Sequence, residues 1–256
     1  MNFKGLKTEK SNSTIKRKLL IAALWLIIWQ LIYMAIDIEV LFVSPWGVIK
    51  TLSNLVTQGL FWQSVLASLL RIIEGYLIAV IIGTAFAVVS VSIPFVYEFF
   101  YPVISLVRAA PVASFIILTL VWLKSSTVPT FISFLMVFPV VWTNVTEGIK
   151  RTDNRLLEMA SVYNFGRWKT VKLVYIPSVM PYFKTACITG LSLAWKSGIA
   201  AEVICTPKYS IGKQLYNSKI YLETPELFAW TAVVVIMSVI VEKLFVKFIN
   251  YFVDRY

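Results

Sequence analysis

A basic, amphipathic segment between long apolar segments constrains this chain more than any other feature. It runs from Lys150 to Lys184, contains seven lysine and arginine residues, and is called the basic segment below. So many charges cannot lie in the hydrocarbon of a bilayer, whereas the neighbouring segments are long and apolar enough to cross one. We therefore expect the basic segment in water beside a membrane, on the cytoplasmic side, where positive loops concentrate.

The composition agrees with a membrane protein. Of the 256 residues, 59% are hydrophobic and 14% are charged, whereas about 25% of the residues of an ordinary soluble domain are charged. The formal net charge of +11 would also suit a nucleic-acid-binding protein. The positive charges lie at the ends of apolar segments, however, as an orientation signal does. We predict an all-α polytopic membrane protein with no nucleic-acid partner.

Several kinds of catalytic chemistry are missing from the sequence. It contains no histidine, which excludes histidine-based catalysis and removes a common metal ligand. Cys187 and Cys205 lie about 27 Å apart along one predicted helix, too far for an intrachain disulfide. There is also no G-x-x-x-x-G-K-[ST] phosphate-binding loop. We therefore predict that the chain is not an enzyme and holds no metal or cofactor of its own.

Apolar length and turn signals predict six spans. They are Leu19–Ile36, Ser64–Val91, Val112–Leu123, Thr127–Gly148, Thr185–Ile204 and Glu226–Phe248. Ser44 followed by Pro45 predicts the start of a short surface helix that ends near Gly59. Residues 94–111 are interpreted as an apolar connection interrupted by prolines.

The distribution of positive charge predicts the orientation of the chain. With the N-terminus inside, the cytoplasmic segments hold 17 lysine and arginine residues and the external segments hold five. The positive-inside rule then places both termini and the basic segment in the cytoplasm. Residues 1–18 form a predicted basic tail, and residues 19–256 a single transmembrane domain.

Small residues recur at every fourth position on two predicted spans. They are Gly75, Ala79, Gly83 and Ala87 on the second, and Ala186, Gly190, Ala194 and Gly198 on the fifth. This spacing lets another helix approach closely. We favour helix packing within the chain over a subunit interface or a pathway wall.

The first half of the basic segment predicts a helix that ends in a bend. The helix start can be capped by Thr152, Asp153 or Asn154. One apolar face of the helix then carries Leu156, Leu157, Ala160 and Tyr163. Asn164 and Gly166 both tolerate a left-handed backbone, so they are expected to stop the helix.

Trp168–Tyr175 predicts a second short helix, ended by Ile176 and Pro177 because the residue before a proline disfavours helical backbone. Apolar side chains exposed on both helices would offer a surface for a protein partner. The alternative is an interfacial helix on lipid headgroups, which requires only amphipathicity and positive charge. We favour a protein partner, since headgroup binding explains neither Glu158 near the helix start nor the bend and the proline stop.

The spacing within the basic segment resembles the EAA loop of ABC importer permeases, which has the pattern E-A-A, three residues, G, nine residues and I-x-L-P. The matching positions are Glu158, Met159, Ala160, Asn164, Val174, Ile176 and Pro177. Met159 replaces the middle alanine and Asn164 replaces the glycine. Because asparagine adopts the left-handed conformation at modest cost, the bend is expected to survive.

Further positions resemble the nitrate/sulfonate/taurine-type permeases, over about residues 40–250. They are Ser44-Pro45, Trp62, Ser68-Leu69, Arg71, Gly75, Arg108–Pro111, Trp195 and Ala200–Glu202. The resemblance implies a type I ABC importer permease fold in a bacterial plasma membrane. It also implies two permease subunits, often identical, an external substrate-binding protein, and two cytoplasmic ATPases that bind ATP and magnesium.

The same resemblance implies which residues contact the ATPase. They are Glu158, Met159, Ala160, Tyr163, Asn164, Gly166, Ile176 and Pro177. The helix around Glu158–Gly166 would lie in a cleft of the ATPase, which is the subunit that hydrolyses ATP. The solute would be small and anionic, such as a sulfonate or nitrate, or a vitamin precursor.

Residues of the fifth predicted span are candidates for the translocation pathway. Lys196 lies about 18 Å along this helix from its basic end, where a charge is costly unless it faces water or a partner. It is a candidate anion-attracting group of the pathway, and an ion pair to Glu74 or snorkelling to the interface remain open as alternatives. Glu202 is a candidate for the outer mouth and Trp195 for a cavity wall, with packing the alternative. Arg71, one helical turn from Glu74, can pair with that residue.

Two function hypotheses remain at this point. The first is an importer permease driven by separate ATPase subunits. The second is an ion-coupled secondary transporter that needs no ATPase. We favour the permease, because the sequence has no obvious inverted repeat or matched pair of broken helices of the kind found in many secondary transporters.

Overall fold

The computed structural model describes residues 3–36, 38 and 40–253. Within this part of the chain every regular element is helical, which confirms the all-α prediction. Of the predicted basic tail 1–18, the side chains lie outside the described residues, with the exception of Arg17.

The described helices follow one another in a simple order along the chain. They are α1 Phe3–Ile36, α2 Pro45–Val56, α3 Gly59–Ser92, α4 Pro94–Ala109, α5 Val112–Thr119, α6 Val128–Lys150, α7 Asn154–Val162, α8 Arg167–Thr170, a π-turn Val171–Tyr175, α9 Ile176–Cys205, α10 Ile211–Ile220 and α11 Thr224–Val253.

Three helical segments of the described chain are long and apolar enough to cross a membrane. They are α3, α6 and the uninterrupted helix Arg167–Cys205, which contains α8, the π-turn and α9. These segments correspond to the predicted second, fourth and fifth spans. The pair α4 and α5 makes a fourth if it counts as one bent span, whereas the apolar helix Leu20–Ile36 is shorter. The chain is therefore a multi-pass membrane protein, and this much of the six-span prediction is confirmed.

The prediction for residues 94–123 is wrong. Residues 94–111 are not a connection: α4 is a helix that begins at Pro94, where a fixed proline φ favours the first turn, and continues through Pro102. The helix ends where Ala110 takes an extended backbone before Pro111, and the chain bends by 103°. The predicted span Val112–Leu123 is helical only over the eight residues of α5, about 12 Å, so it cannot cross a membrane alone.

The predicted helix stop at Ile176 and Pro177 is also wrong. The backbone N–H of Ile176 donates to the carbonyl of Val171, five residues earlier, and this wider turn is the π-turn. An ordinary helix would bring the Pro177 ring against the carbonyl of Leu173. We attribute the continuity of the helix to the π-turn, which widens the backbone just before the proline.

Helices α3, α6 and α9 pack into the core of the fold, and the rows of small residues explain how closely they approach. A Cβ added to Gly83 would lie 3.1 Å from Val141 on α6, and one added to Gly198 would lie 2.6 Å from Ile72 on α3. The small residues of both rows are buried. The prediction that they serve packing within the chain is confirmed.

We expect a Gly75→Ala substitution to lower the melting temperature of the purified protein. The new Cβ would lie 2.2 Å from the backbone oxygen of Thr130, so α3 and α6 would have to separate, at a cost of about 1–3 kcal/mol. Gly59→Ala is the matched control, since a Cβ there meets nothing within 4 Å. Equal melting temperatures for the two variants would contradict this account of the core.

Helices α2 and α11 pack along the side of this core. The predicted cap is confirmed, because the Ser44 hydroxyl accepts the N–H of Gly47 at 3.0 Å, but α2 ends at Val56, slightly before the predicted position. Phe61 of α3 stacks on Trp230 of α11 with ring centroids 5.2 Å apart. These contacts hold α11 against the bundle.

Candidate functional site

The basic segment begins with a short helix that has a defined cap at each end. Asp153 accepts the N–H of Arg155 at 2.9 Å and starts α7. At the other end Asn164 has a left-handed φ of 50°, as predicted. The N–H of Phe165 donates to the carbonyl of Ala160 at 2.8 Å, the bond of a Schellman helix end. Asparagine therefore takes the backbone position that usually belongs to glycine.

Large apolar side chains are exposed around this helix end. Val162 is 78% exposed, Tyr163 70% and Trp168 87%. Exposed apolar groups so close together on a polar segment indicate a surface that a partner covers. Ala160 is buried instead and faces the protein, where α7 contacts the π-turn.

The other predicted contact residues lie on either side of this surface. Glu158 and Met159 are exposed on α7. Gly166 has an ordinary φ of −62° and precedes α8, so the expectation that it stops α7 in a left-handed conformation is wrong. Ile176 and Pro177 are exposed at the start of α9, after the π-turn.

Where the basic segment begins, at the end of α6, the chain carries an exposed ion pair. Arg151 donates to the Glu147 carboxylate at 2.5 Å, one helical turn away. This hydrogen bond raises the pKa of Arg151 above its ordinary value, so the guanidinium stays charged. Exposed pairs of this kind contribute little to stability.

The face of α9 that points away from the core is polar. Thr185, Thr189 and Lys196 are exposed there and Ser192 is partly exposed, at the four-, three- and four-residue spacing of one helix face. We call these four residues the polar face of α9. The hydroxyls of Thr185 and Thr189 donate to backbone carbonyls of their own helix.

The ion pairs of the described side chains differ from those predicted. Arg71 pairs with Glu202 across 131 residues of sequence, at 3.2 Å. Among the described residues neither Arg71 nor Lys196 pairs with Glu74, which is exposed. The predicted Arg71–Glu74 pair is thus replaced by the Arg71–Glu202 pair between α3 and α9. Lys196 presents its charge on the polar face of α9.

Glu202 lies at the centre of a buried polar cluster. Its carboxylate is 0% exposed, and one oxygen accepts the Ser68 hydroxyl at 2.6 Å and the N–H of Gly212 at 3.2 Å. The other oxygen accepts Arg71. A carboxylate in this position requires such partners, because burial without them costs several kcal/mol. The cluster joins α3, α9 and the start of α10.

Trp195 also lies within the packed bundle rather than on the polar face of α9. It is 3% exposed, and its indole N–H donates to the carbonyl of Val234 on α11 at 3.1 Å. Trp195 and Glu202 are therefore buried in the bundle, whereas Lys196 is exposed on the polar face of α9.

An apolar cavity of about 520 Å³ lies between the ends of α3 and α6 and the start of α9. Its lining includes Val88, Val145, Tyr175 and Phe183. Ile176 is the one predicted contact residue that lines it. The Thr84 hydroxyl, also in the lining, has no hydrogen-bond partner among the described residues.

Reasoning from the sequence missed the Glu202 cluster, although two signals were present. Ser68 and Arg71 lie three residues apart, which places both on one side of a helix. Glu202 interrupts an apolar helix, so its burial required a partner. Neither signal identifies which carboxylate the arginine contacts.

Comparison with known proteins identifies relatives of one kind. The profile of the family described as "binding-protein-dependent transport system inner membrane component" matches residues 75–256. A bicarbonate transport system permease protein of Synechocystis sp. is 29% identical over 163 residues, which are 63% of this chain and 58% of that protein.

Two further relatives have a similar description. A taurine transport system permease protein of Escherichia coli is 25% identical over 182 residues, which are 71% of this chain and 66% of that protein. A putative aliphatic sulfonates transport permease protein of Bacillus subtilis is 22% identical over 234 residues, or 91% of this chain and 83% of that protein. For the first two relatives, the match covers less than two thirds of their length.

Proposed function

We propose that this chain, which belongs to the family of inner membrane components of binding-protein-dependent transport systems, is the permease subunit of an ABC importer. The chain would form the pathway for a small anionic solute delivered by an external binding protein. Separate ATPase subunits would bind ATP and magnesium and perform the hydrolysis. The solutes named for the relatives, bicarbonate, taurine and aliphatic sulfonates, support an anionic or sulfonate substrate.

The exposed surface at the end of α7 is the observation that carries this proposal. Val162, Tyr163 and Trp168 are largely exposed on a segment too charged for the membrane interior. A lipid surface would be contacted by one continuous amphipathic face, but here the helix stops in a Schellman turn and the chain changes direction. An exposed apolar surface that is interrupted by a turn suits a cleft in a protein. We propose that this partner is the ATPase, with Glu158 and Met159 at the edge of the contact.

The polar face of α9 supports a pathway role for Lys196. A charged side chain exposed on a membrane helix is costly in lipid, so it requires water or a partner. The hydroxyl residues on the same face make contact with lipid less suitable still. We propose that this face lines a water-filled pathway between two copies of the chain, and that Lys196 attracts the anion there. Trp195 and Glu202 do not line the pathway in this proposal. They pack α9 against α11 and α3, respectively.

The proposed membrane domain covers residues 19–256 and has six spans. The bent pair α4 and α5 would count as one of them, and α1 and α11 would join the helices already identified by length and composition. The excess of lysine and arginine in the segments assigned to the cytoplasm supports cytoplasmic termini and a cytoplasmic basic segment. The secondary-transporter alternative leaves the exposed surface of α7 without a role.

Co-purification with an ATPase tests the proposed function. The permease and its candidate ATPase are expressed together and isolated through a tag on the permease. Wild-type protein should retain the ATPase, whereas Tyr163→Asp should release it, because a buried, unpaired carboxylate opposes the contact. Tyr221→Asp is the matched control, since Tyr221 is 71% exposed and Tyr163 is 70% exposed.

The outcomes separate the two functions. Loss of the ATPase only in Tyr163→Asp supports the importer. A wild-type protein that transports its solute without any nucleotide-binding subunit would contradict it and favour the secondary transporter.

A further inference from the structure

The first N–H groups of α10 are bound by three side chains, two of which belong to other helices. The N–H of Ile211 donates to the Ser68 hydroxyl of α3 at 2.9 Å, and that of Gly212 to the Glu202 carboxylate of α9 at 3.2 Å. The N–H of Lys213 donates to the Ser210 hydroxyl at 3.0 Å. These groups have no partner inside their own helix, and a carboxylate is the favoured ligand there. The start of α10 is therefore fixed to both α3 and α9.

The turn between α9 and α10 is held by the same cluster. Thr206 and Tyr209 adopt left-handed φ values of 45° and 53°, a conformation that non-glycine residues rarely adopt. The Arg71 guanidinium donates to the carbonyl of Tyr209 at 3.1 Å and to that of Lys208 at 2.9 Å. Arginine suits this position, because its planar fork reaches several acceptors at once.

Close packing completes the connection. A Cβ on Gly212 would lie 2.3 Å from the Cβ of Glu202, so α10 contacts α9 at a distance that only glycine permits. Ser68, Ile211 and Gly212 are all buried. The start of α10, the end of α9 and the adjoining part of α3 thus form one closely packed unit.

This unit lies at one end of a long helix. The other end of that helix carries Trp168, which is part of the surface proposed to bind the ATPase. Arg167–Cys205 is continuous over 39 residues, about 58 Å at 1.5 Å per residue. Its first turns contact α7 through the π-turn. A continuous helix can carry a displacement between distant sites if both of its ends are firmly attached.

We propose that Arg71 and Glu202 are positioning residues that attach α10 to α9. Through this attachment and the continuous helix, binding of the external binding protein to α10 changes the position of the surface that contacts the ATPase. This inference rests on the proposed function. With the basic segment in the cytoplasm, α10 follows the opposite end of α9 and lies on the external side. Its surface available to the binding protein includes Tyr216 and Lys219, which are exposed, with Lys208 in the preceding turn. The positive charges suit an acidic surface on the binding protein.

The test uses the complete assembly of permease, ATPase and binding protein in proteoliposomes, with Mg-ATP as the added ligand. ATP hydrolysis is measured with and without the binding protein. In Glu202→Gln we expect the basal rate of ATP hydrolysis to stay within about twofold of the parent. The stimulation of this rate by the binding protein should fall at least about fivefold, which is the factor that corresponds to a lost interaction of about 1 kcal/mol. The amide keeps the shape of the side chain and removes its charge toward Arg71.

Two further variants make the result specific. Arg71→Lys keeps a positive charge but lacks the fork, so it should lose stimulation and show faster hydrogen exchange at Ile211 and Gly212. Glu223→Gln, which changes an exposed carboxylate near the start of α11, should retain both stimulation and slow exchange.

Each outcome bears on one proposal only. Unchanged stimulation in Glu202→Gln, or unchanged exchange in Arg71→Lys, would overturn the positioning role. If Glu202→Gln does not assemble, stimulation and exchange in Arg71→Lys decide the matter. Failure of the parent permease to bind any ATPase would refute the importer function itself, and the co-purification experiment detects that separately.

Discussion

Uptake by a Lys196→Met variant is expected to fall by about 10- to 100-fold, because a hydrogen bond to a charged group contributes about 1.5–3 kcal/mol. Lys196 is exposed on the polar face of α9 and has no ion-pair partner among the described residues. Methionine keeps a similar length and removes the charge. The measurement is uptake of labelled bicarbonate, taurine or an alkanesulfonate, whichever the parent assembly carries, in cells or proteoliposomes.

Two control variants distinguish a pathway role from other effects. Lys196→Arg retains a positive charge and should keep most of the activity, whereas Lys124→Met removes an exposed lysine from the turn between α5 and α6 and should have no effect. ATPase binding should be the same in all three variants. Unchanged uptake in Lys196→Met would remove Lys196 from the pathway and favour the alternative that its side chain extends to the interface.

Features set by neighbouring residues could be predicted from the sequence. The Ser44 cap, the Asp153 cap and the left-handed Asn164 each depend on residues within a few positions of one another. The rows of small residues on α3 and α9 were also predicted correctly, because their spacing alone defines a face on which helices can approach.

Features set by distant residues could not be predicted in the same way. Arg71 had a carboxylate one helical turn away in Glu74, yet it binds Glu202, whose burial makes the partner necessary. Local rules also overestimated the effect of prolines. Pro102 lies inside α4, and Pro177 follows a π-turn within a continuous helix. Packing, widened turns and neighbouring helices compensate for a proline in ways that the flanking sequence does not reveal.

Asn164→Val is expected to weaken binding of the ATPase by about 5- to 30-fold, the factor that corresponds to 1–2 kcal/mol. Asn164 has a φ of 50°, and a β-branched residue is a genuine outlier in that region. The Schellman turn sets the direction of the chain from Tyr163 to Trp168, so a change of this turn displaces two parts of the exposed surface relative to each other. The affinity of the purified permease for the ATPase subunit measures the effect.

Asn164→Gly and Gly166→Ala complete this experiment. Glycine adopts the left-handed conformation freely, so Asn164→Gly should bind the ATPase at least as well as the parent. Gly166→Ala should also be neutral, because Gly166 has a φ of −62° and an added Cβ meets nothing within 4 Å. The left-handed requirement thus belongs to position 164 and not to the nearby glycine. Equal affinities for the valine and glycine variants at position 164 would show that the turn does not orient the docking surface.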